Sequence, residues 1–185
     1  MLVAAHVVTA LQAISAREVA PATPVVVTMG TVHGGFRFNV IAPEVELTGT
    51  VRSFDPALRS SLPGRIERIA TGVAQAFGAQ ATVTYEFGYP AVVNDPGMTA
   101  FVREVAASVV GPAGVIDSEL LRGGEDMAYF LEKVPGCFAF IGSANAAHGL
   151  DQPHHSPLFD FDEGALAIGV QTLVRTAERY LGASP

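Results

Sequence analysis

Val45-Glu46-Leu47-Thr48-Gly49-Thr50-Val51-Arg52 is the stretch that decides the fold class of this chain. Val45, Leu47 and Val51 alternate with Glu46, Thr48, Thr50 and Arg52, the two-residue period of a strand with one buried face. Arg52 falls on the polar face. Upstream, Pro24-Val25-Val26-Val27-Thr28-Met29 is a β-branched run, followed by an expected glycine-rich turn from Gly30 to Gly35. Further upstream, Val3, Val7, Leu11 and Ile14 share one face at helical spacing and predict an amphipathic helix ending near Arg17. Downstream, Ile66, Ile69, Ala70, Val73 and Phe77 mark a second helix, with Pro63 expected at its first position. Val83, Tyr85 and Phe87 alternate again as a strand. The order helix, strand, strand, helix, strand predicts an α/β (α+β) fold.

Gly88-Tyr89-Pro90 and Asn94-Asp95-Pro96-Gly97 punctuate the chain and set the expected boundary between a domain over 1–88 and another over 89–185. Beyond it, Phe101, Val102, Val105 and Val109 predict a helix. Gly123-Gly124-Glu125-Asp126 opens the next, its carboxylates expected in the first turn, where the helix dipole favours them. Cys137-Phe138-Ala139-Phe140-Ile141-Gly142 reads as a buried strand ending in glycine. The last helix carries the clearest pattern, with Asp162 as cap and Leu166, Val170, Leu173, Val174, Ala177 and Leu181 at i+3 and i+4.

Composition narrows the function classes. Hydrophobic residues make up 49 % of the 185 and charged residues 16 %, which argues for a packed core and against disorder. A formal charge of −7 argues against nucleic acid and anionic membranes as partners. The single cysteine, Cys137, can form no intramolecular disulfide and suits a reducing compartment, so a cytoplasmic location is expected. The apolar N-terminal run lacks a basic n-region and is interrupted by His6, Thr9 and Gln12, unlike a signal peptide. No later run has the length or the lack of charge that a bilayer span needs.

Four ordered motifs carry a resemblance: Gly34-Gly35-Phe36-Arg37-Phe38-Asn39-Val40-Ile41; Gly49-Thr50-Val51-Arg52; Gly124-Glu125-Asp126-Met127-Ala128-Tyr129-Phe130; and Pro153-His154-His155-Ser156-Pro157 with Phe159-Asp160 after it. Together they resemble the M20 family of metal-dependent amidohydrolases and carboxypeptidases, in its N-acyl-amino-acid amidohydrolase, hippurate-hydrolase-like branch. One departure is Ala42 before Pro43, where the family pattern usually runs from isoleucine straight to proline. The resemblance covers nearly the whole chain but only the C-terminal half of a family member. It implies a partial ferredoxin-like lid and dimerisation domain over 1–88, its first strand missing, followed by the C-terminal part of a zinc-peptidase-like α/β catalytic domain. It implies a hydrolase that cleaves the amide bond of N-acyl amino acids with two Zn, Mn or Co ions. The general base and most of the metal ligands lie in the family's other half, so the chain is expected to be an inactive fragment holding little or no metal. A homo-oligomer formed through the lid is also expected.

The same resemblance assigns roles by residue. His155 matches the metal ligand of the C-terminal segment, with His154 its neighbour; the residues alone read equally as an exposed turn. One imidazole is a weak site, since a catalytic zinc takes three protein ligands. Asn39 and Arg52 match a lid pair that holds the substrate carboxylate of the neighbouring subunit. A guanidinium fork and an amide donor suit that task, though both also fit an ordinary strand arginine and turn asparagine. Gly142 would let backbone approach the substrate, or would simply end a strand. Glu125 and Asp126 read as dipole-stabilising carboxylates, with a supporting position near the metal as the family alternative. His33 is expected in the Gly30–Gly35 turn, and His6 and His148 are unremarkable helix and loop residues. Two non-catalytic readings stand beside the hydrolase: a dimerisation or regulatory module, and a decayed gene product without function.

Overall fold

Helix α1, Leu2–Ala13, forms where Val7 and Leu11 recur at the spacing of one helical face, and both are buried. It runs on through a single π turn, Ile14–Glu18, which keeps Ile14 on the same buried face. The computed structural model describes residues 1–121 and 123–182. Within it the chain divides into two units, Met1–Ala91 and Val92–Pro185.

In the first unit, strand β1 (Val25–Gly34) pairs antiparallel with β2 (Val45–Ser53). The register runs from Val25 opposite Ser53 to Gly34 opposite Val45, and slips between Met29 and Thr31. The expected turn over Gly30–Gly35 is therefore mostly strand. Gly30 sits at the slip as a bulge, and His33 lies in the ladder opposite Glu46. Gly49 faces Met29 across the ladder, where a Cβ would collide with the Thr28 carbonyl and the Met29 side chain, so the backbones require glycine there. The Thr31 and Thr48 hydroxyls hydrogen-bond across the same ladder.

Helix α2, Pro56–Ala76, starts seven residues before the expected point. Asp55 caps it, accepting from the Leu58 N–H at 2.6 Å, and Pro56 takes the first-turn position. Pro63 lies inside the helix, where it withholds the N–H that would bond back one turn. Leu62, Ile66, Ile69 and Ala70 of α2 meet Val7 and Leu11 of α1, Ile14 of the π turn and Val27 of β1 in one core. Each large side chain removed from water there is worth about 1.5–3 kcal/mol. Glu18 ties the end of the π turn to α2 through Arg65 (3.4 Å) and Arg68 (2.5 Å). The Arg68 hydrogen bond holds the Glu18 carboxyl below its ordinary range, against the opposing effect of burial.

The strand expected over 81–88 does not form. Ala81, Val83 and Tyr85 still turn alternate side chains onto the core, yet the segment joins no ladder among the described residues, whose one sheet is β1–β2. Burial pushes the Tyr85 hydroxyl up, with the Arg59 guanidinium pulling the other way. Arg59 lies over the Phe87 ring at 4.8 Å and donates to the Gly88 carbonyl at 2.6 Å.

The second unit is built on α3 (Pro96–Val110), a short α4 (Met127–Leu131) and α5 (Gly164–Tyr180). Asp95 caps α3 by accepting from Met98 N–H at 2.8 Å. Glu125 and Asp126 precede α4 rather than occupy its first turn. The expected strand 137–142 is not a strand, and Phe140 and Ile141 are exposed. Its start is held by Asn94, whose amide donates to the Phe138 carbonyl and accepts from the Phe138 N–H, both at 2.8 Å. Asn94 also donates to Cys137 Sγ at 3.6 Å, and that thiol is half-buried.

Helix α5 packs with the face opposite to the expected one. Arg175 reaches Ser108 of α3 at 3.0 and 3.2 Å, Arg179 pairs with Glu104 and covers the Phe101 ring, and Thr172 is the buried side chain. Leu166 (57 % exposed), Val170 (61 %) and Leu173 (73 %) point to solvent. No helix among the described residues is long and apolar enough to cross a membrane.

Candidate functional site

The Pro153–Pro157 segment is shaped by its own backbone. Ser156 N–H donates to the Pro153 carbonyl and Phe159 N–H to the Ser156 carbonyl, both at 3.0 Å. Ser156 Oγ accepts from Leu158 N–H at 3.1 Å. His155 is the third residue of the first turn and takes φ 68°, the one positive φ outside glycine among the described residues. A left-handed conformation costs a residue with a Cβ about 1–2 kcal/mol. The His154 ring stands edge-on to both His155 (5.0 Å) and Phe159 (4.8 Å), so two adjacent imidazoles and an aromatic ring share one exposed knot.

Beside α5 lies a second ordered turn. Asn145 and Leu150 exchange both backbone hydrogen bonds, at 2.7 and 3.0 Å. The Asn145 amide donates to Asp162 Oδ2 at 2.6 Å, Gly164 N–H donates to Asp162 Oδ1 at 2.9 Å, and Asp162 N–H reaches the Ser143 carbonyl at 2.9 Å. Asp162 lies one residue before the N-cap of α5, Glu163, where it accepts from the first helical N–H and also anchors the 143–150 turn. The Asn145 hydrogen bond first, and the Gly164 one second, hold its carboxyl below the ordinary range. Sequence reasoning placed the cap one residue early and missed Asn145. The only signal was an asparagine four residues before a glycine, Gly149, which adopts φ 72° here. Gly142 directly precedes this turn and is exposed, and a Cβ there would meet nothing within 4 Å. Packing within the unit does not demand the glycine.

The lid pair occupies the hairpin of the first unit. Asn39 is exposed in the 35–44 connection between β1 and β2, and Arg52 is exposed near the far end of β2, opposite Val26. Seven residues of strand separate Arg52 from Val45, where that connection ends, a span of about 23 Å. Arg52 and Asn39 therefore stand on the same hairpin, at different heights.

A dinuclear or even mononuclear metal site needs more donors than are gathered. Among the described residues, no three His, Cys, Asp or Glu side chains come close enough together to hold a metal ion. His155 remains a single donor, short of the three that a catalytic zinc takes. The residues present do not by themselves fit a catalytic metal.

Comparison with known proteins fixes the affiliation. The model of peptidase family M20/M25/M40 matches residues 3–179. The chain belongs to the M20 family. YhaA of Bacillus subtilis (strain 168), an amidohydrolase by name, is 39 % identical over 180 residues, covering 97 % of this chain and 46 % of its own length. The N-acetyl-L-cysteine deacetylase of the same organism is 35 % identical over 178 residues, covering 96 % and 41 %. Among solved structures, the Bacillus subtilis YXEP protein, a dinuclear metal binding peptidase from the M20 family, superposes with a TM-score of 0.79 at 30 % identity. That match takes in all of this chain and 46 % of the other. The chain thus spans about half the length of the relatives it matches. Its mixed α/β architecture agrees with these M20 neighbours.

Proposed function

We propose that this chain is the substrate-gripping and loop-bearing part of a metal-dependent hydrolase that cleaves the amide bond of N-acyl amino acids. The observation that carries the reading is the Pro153–Pro157 knot: its turns place His155 at φ 68°, and a strained exposed residue is the mark of a position kept for function. In this reading His155 supplies one imidazole to a metal centre completed by chain beyond these residues. Arg52 grips the substrate carboxylate as a bidentate fork, Asn39 adds a neutral amide donor, and Gly142 leaves room for the substrate. The first unit is a ferredoxin-like lid with a strand to be added beside β2, and it carries homo-oligomerisation. The cytoplasm is the proposed location, supported by the single thiol.

On its own the 185-residue chain is then a binding module without turnover. The specific support is that no cluster of three metal donors forms among the described residues. Assays of N-acyl amino acid hydrolysis with added zinc, manganese or cobalt should give no turnover above buffer. Hydrolysis that survives repurification and is lost in His155→Ala would overturn this reading of the isolated chain.

A further inference from the structure

The connection between β1 and β2 carries a cation that the hydrolase reading leaves without a task. Val40 N–H donates to the Arg37 carbonyl at 3.4 Å and closes a turn over Arg37, Phe38, Asn39 and Val40. Such a turn holds its first and fourth Cα atoms within about 7 Å, so Arg37 and Asn39 are within reach of one small molecule. Both side chains are exposed. We propose that Arg37 extends the Asn39 turn into a subsite for a second carboxylate, so that the substrate is an N-acyl amino acid with two acidic groups. The proposal rests on the hydrolase reading given above for Asn39.

Three observations point to an anion at this turn. First, among the described residues the Arg37 guanidinium makes no ion pair and no hydrogen bond. Arg59, Arg65, Arg68, Arg103, Arg175 and Arg179 each donate to an acceptor within the chain. With 18 acidic side chains against 11 basic ones, an arginine left free is the exception. Second, no Asp or Glu stands between Gly35 and Pro43, so the turn is locally positive on a protein of formal charge −7. An anion is drawn to it and repelled by most of the remaining surface. Third, Arg37 stands between two exposed rings, Phe36 (72 % exposed) and Phe38 (103 %). Apolar walls keep water from a seated ligand, and a charge pair with less water around it is stronger. The guanidinium fork then takes the second carboxylate through two parallel N–H bonds, while Asn39, two residues away, keeps its donor for the first.

NMR titration of the 185-residue chain with three probes tests this. N-acetyl-L-glutamate carries the second carboxylate on the amino acid, N-succinylglycine carries it on the acyl group, and N-acetyl-L-glutamine replaces it by an amide. The backbone amide signals of Arg37 and Asn39 should move saturably with at least one dicarboxylate, and that probe should bind about tenfold tighter than N-acetyl-L-glutamine. Which dicarboxylate gains tells where the second acid sits. The advantage should fade as ionic strength rises and vanish in Arg37→Gln, whose other signals stay in place because the side chain is exposed. Arg37→Lys, a charge without the fork, should keep only part of it. Equal affinity for all three probes, an advantage that persists in Arg37→Gln, or no shift at Arg37 up to the solubility of the dicarboxylates overturns the proposal. The hydrolase reading fails differently. If a dicarboxylate gains through Arg37 while Asn39→Ala leaves every affinity unchanged, the subsite stands and the assignment of Asn39 falls. If all three probes bind equally and all weaken in Asn39→Ala, Asn39 keeps its task and the second carboxylate is excluded.

Discussion

At the scale of single residues, His155 and Asp162 show how local hydrogen bonds set a backbone conformation and a charge. His155 pays in backbone strain for its place in the knot. Replacing it by glycine should give a protein about 1 kcal/mol more stable than His155→Ala, the reverse of the order expected at a negative φ. Chemical denaturation of the two variants measures the difference. Asp162 acts through its charge. Its folded value is held below the ordinary 3.8 by the Asn145 and Gly164 donors, so its contribution is complete above about pH 4 and is lost as pH falls through the depressed value. Asp162→Asn should remove that acid-side dependence, and the amide shift of Gly164 in an NMR pH titration follows it directly. The motifs single out His155, Asn39 and Arg52 as the expected site residues. The φ of His155 was not legible, because it belongs to the turn closed by the Ser156 N–H on the Pro153 carbonyl three residues back.

At the scale of elements, periodicity was a sound guide to what each segment is and a poor one to what it touches. The alternation at Val45–Arg52 gave a strand and the spacing of Ile66, Ile69 and Ala70 gave a helix, since those patterns express local geometry. The start of α2 was misplaced because Pro56 and Pro63 both satisfy the first-turn rule; Asp55 decides between them by capping Leu58. Pro63 is then a local fault in a helix of 21 residues. Pro63→Ala should restore a donor and stabilise the protein by about 1–3 kcal/mol, read as a higher urea midpoint at unchanged slope. Segments 81–88 and 137–142 have strand-like sequences without strand structure. A ladder needs a neighbour, and the alternation of Val83 and Tyr85 encodes only which face meets the core.

At the scale of the whole molecule, the mixed α/β class could be read from the order of periods, whereas the orientation of α5 could not. The pattern at Leu166, Val170 and Leu173 announces an apolar face, and nothing in one sequence says whether the layer that covers it lies among the same 185 residues. A cell faces the same question each time the chain is made. Chaperones and energy-dependent proteases select polypeptides that display continuous apolar surface, so a helix worn inside out couples the survival of the chain to whatever shields it. Pulse-chase measurements should show Val170→Glu and Leu173→Glu lengthening the half-life of the chain. The α5 stripe would then act as a timer, its exposed area setting how long each copy lasts.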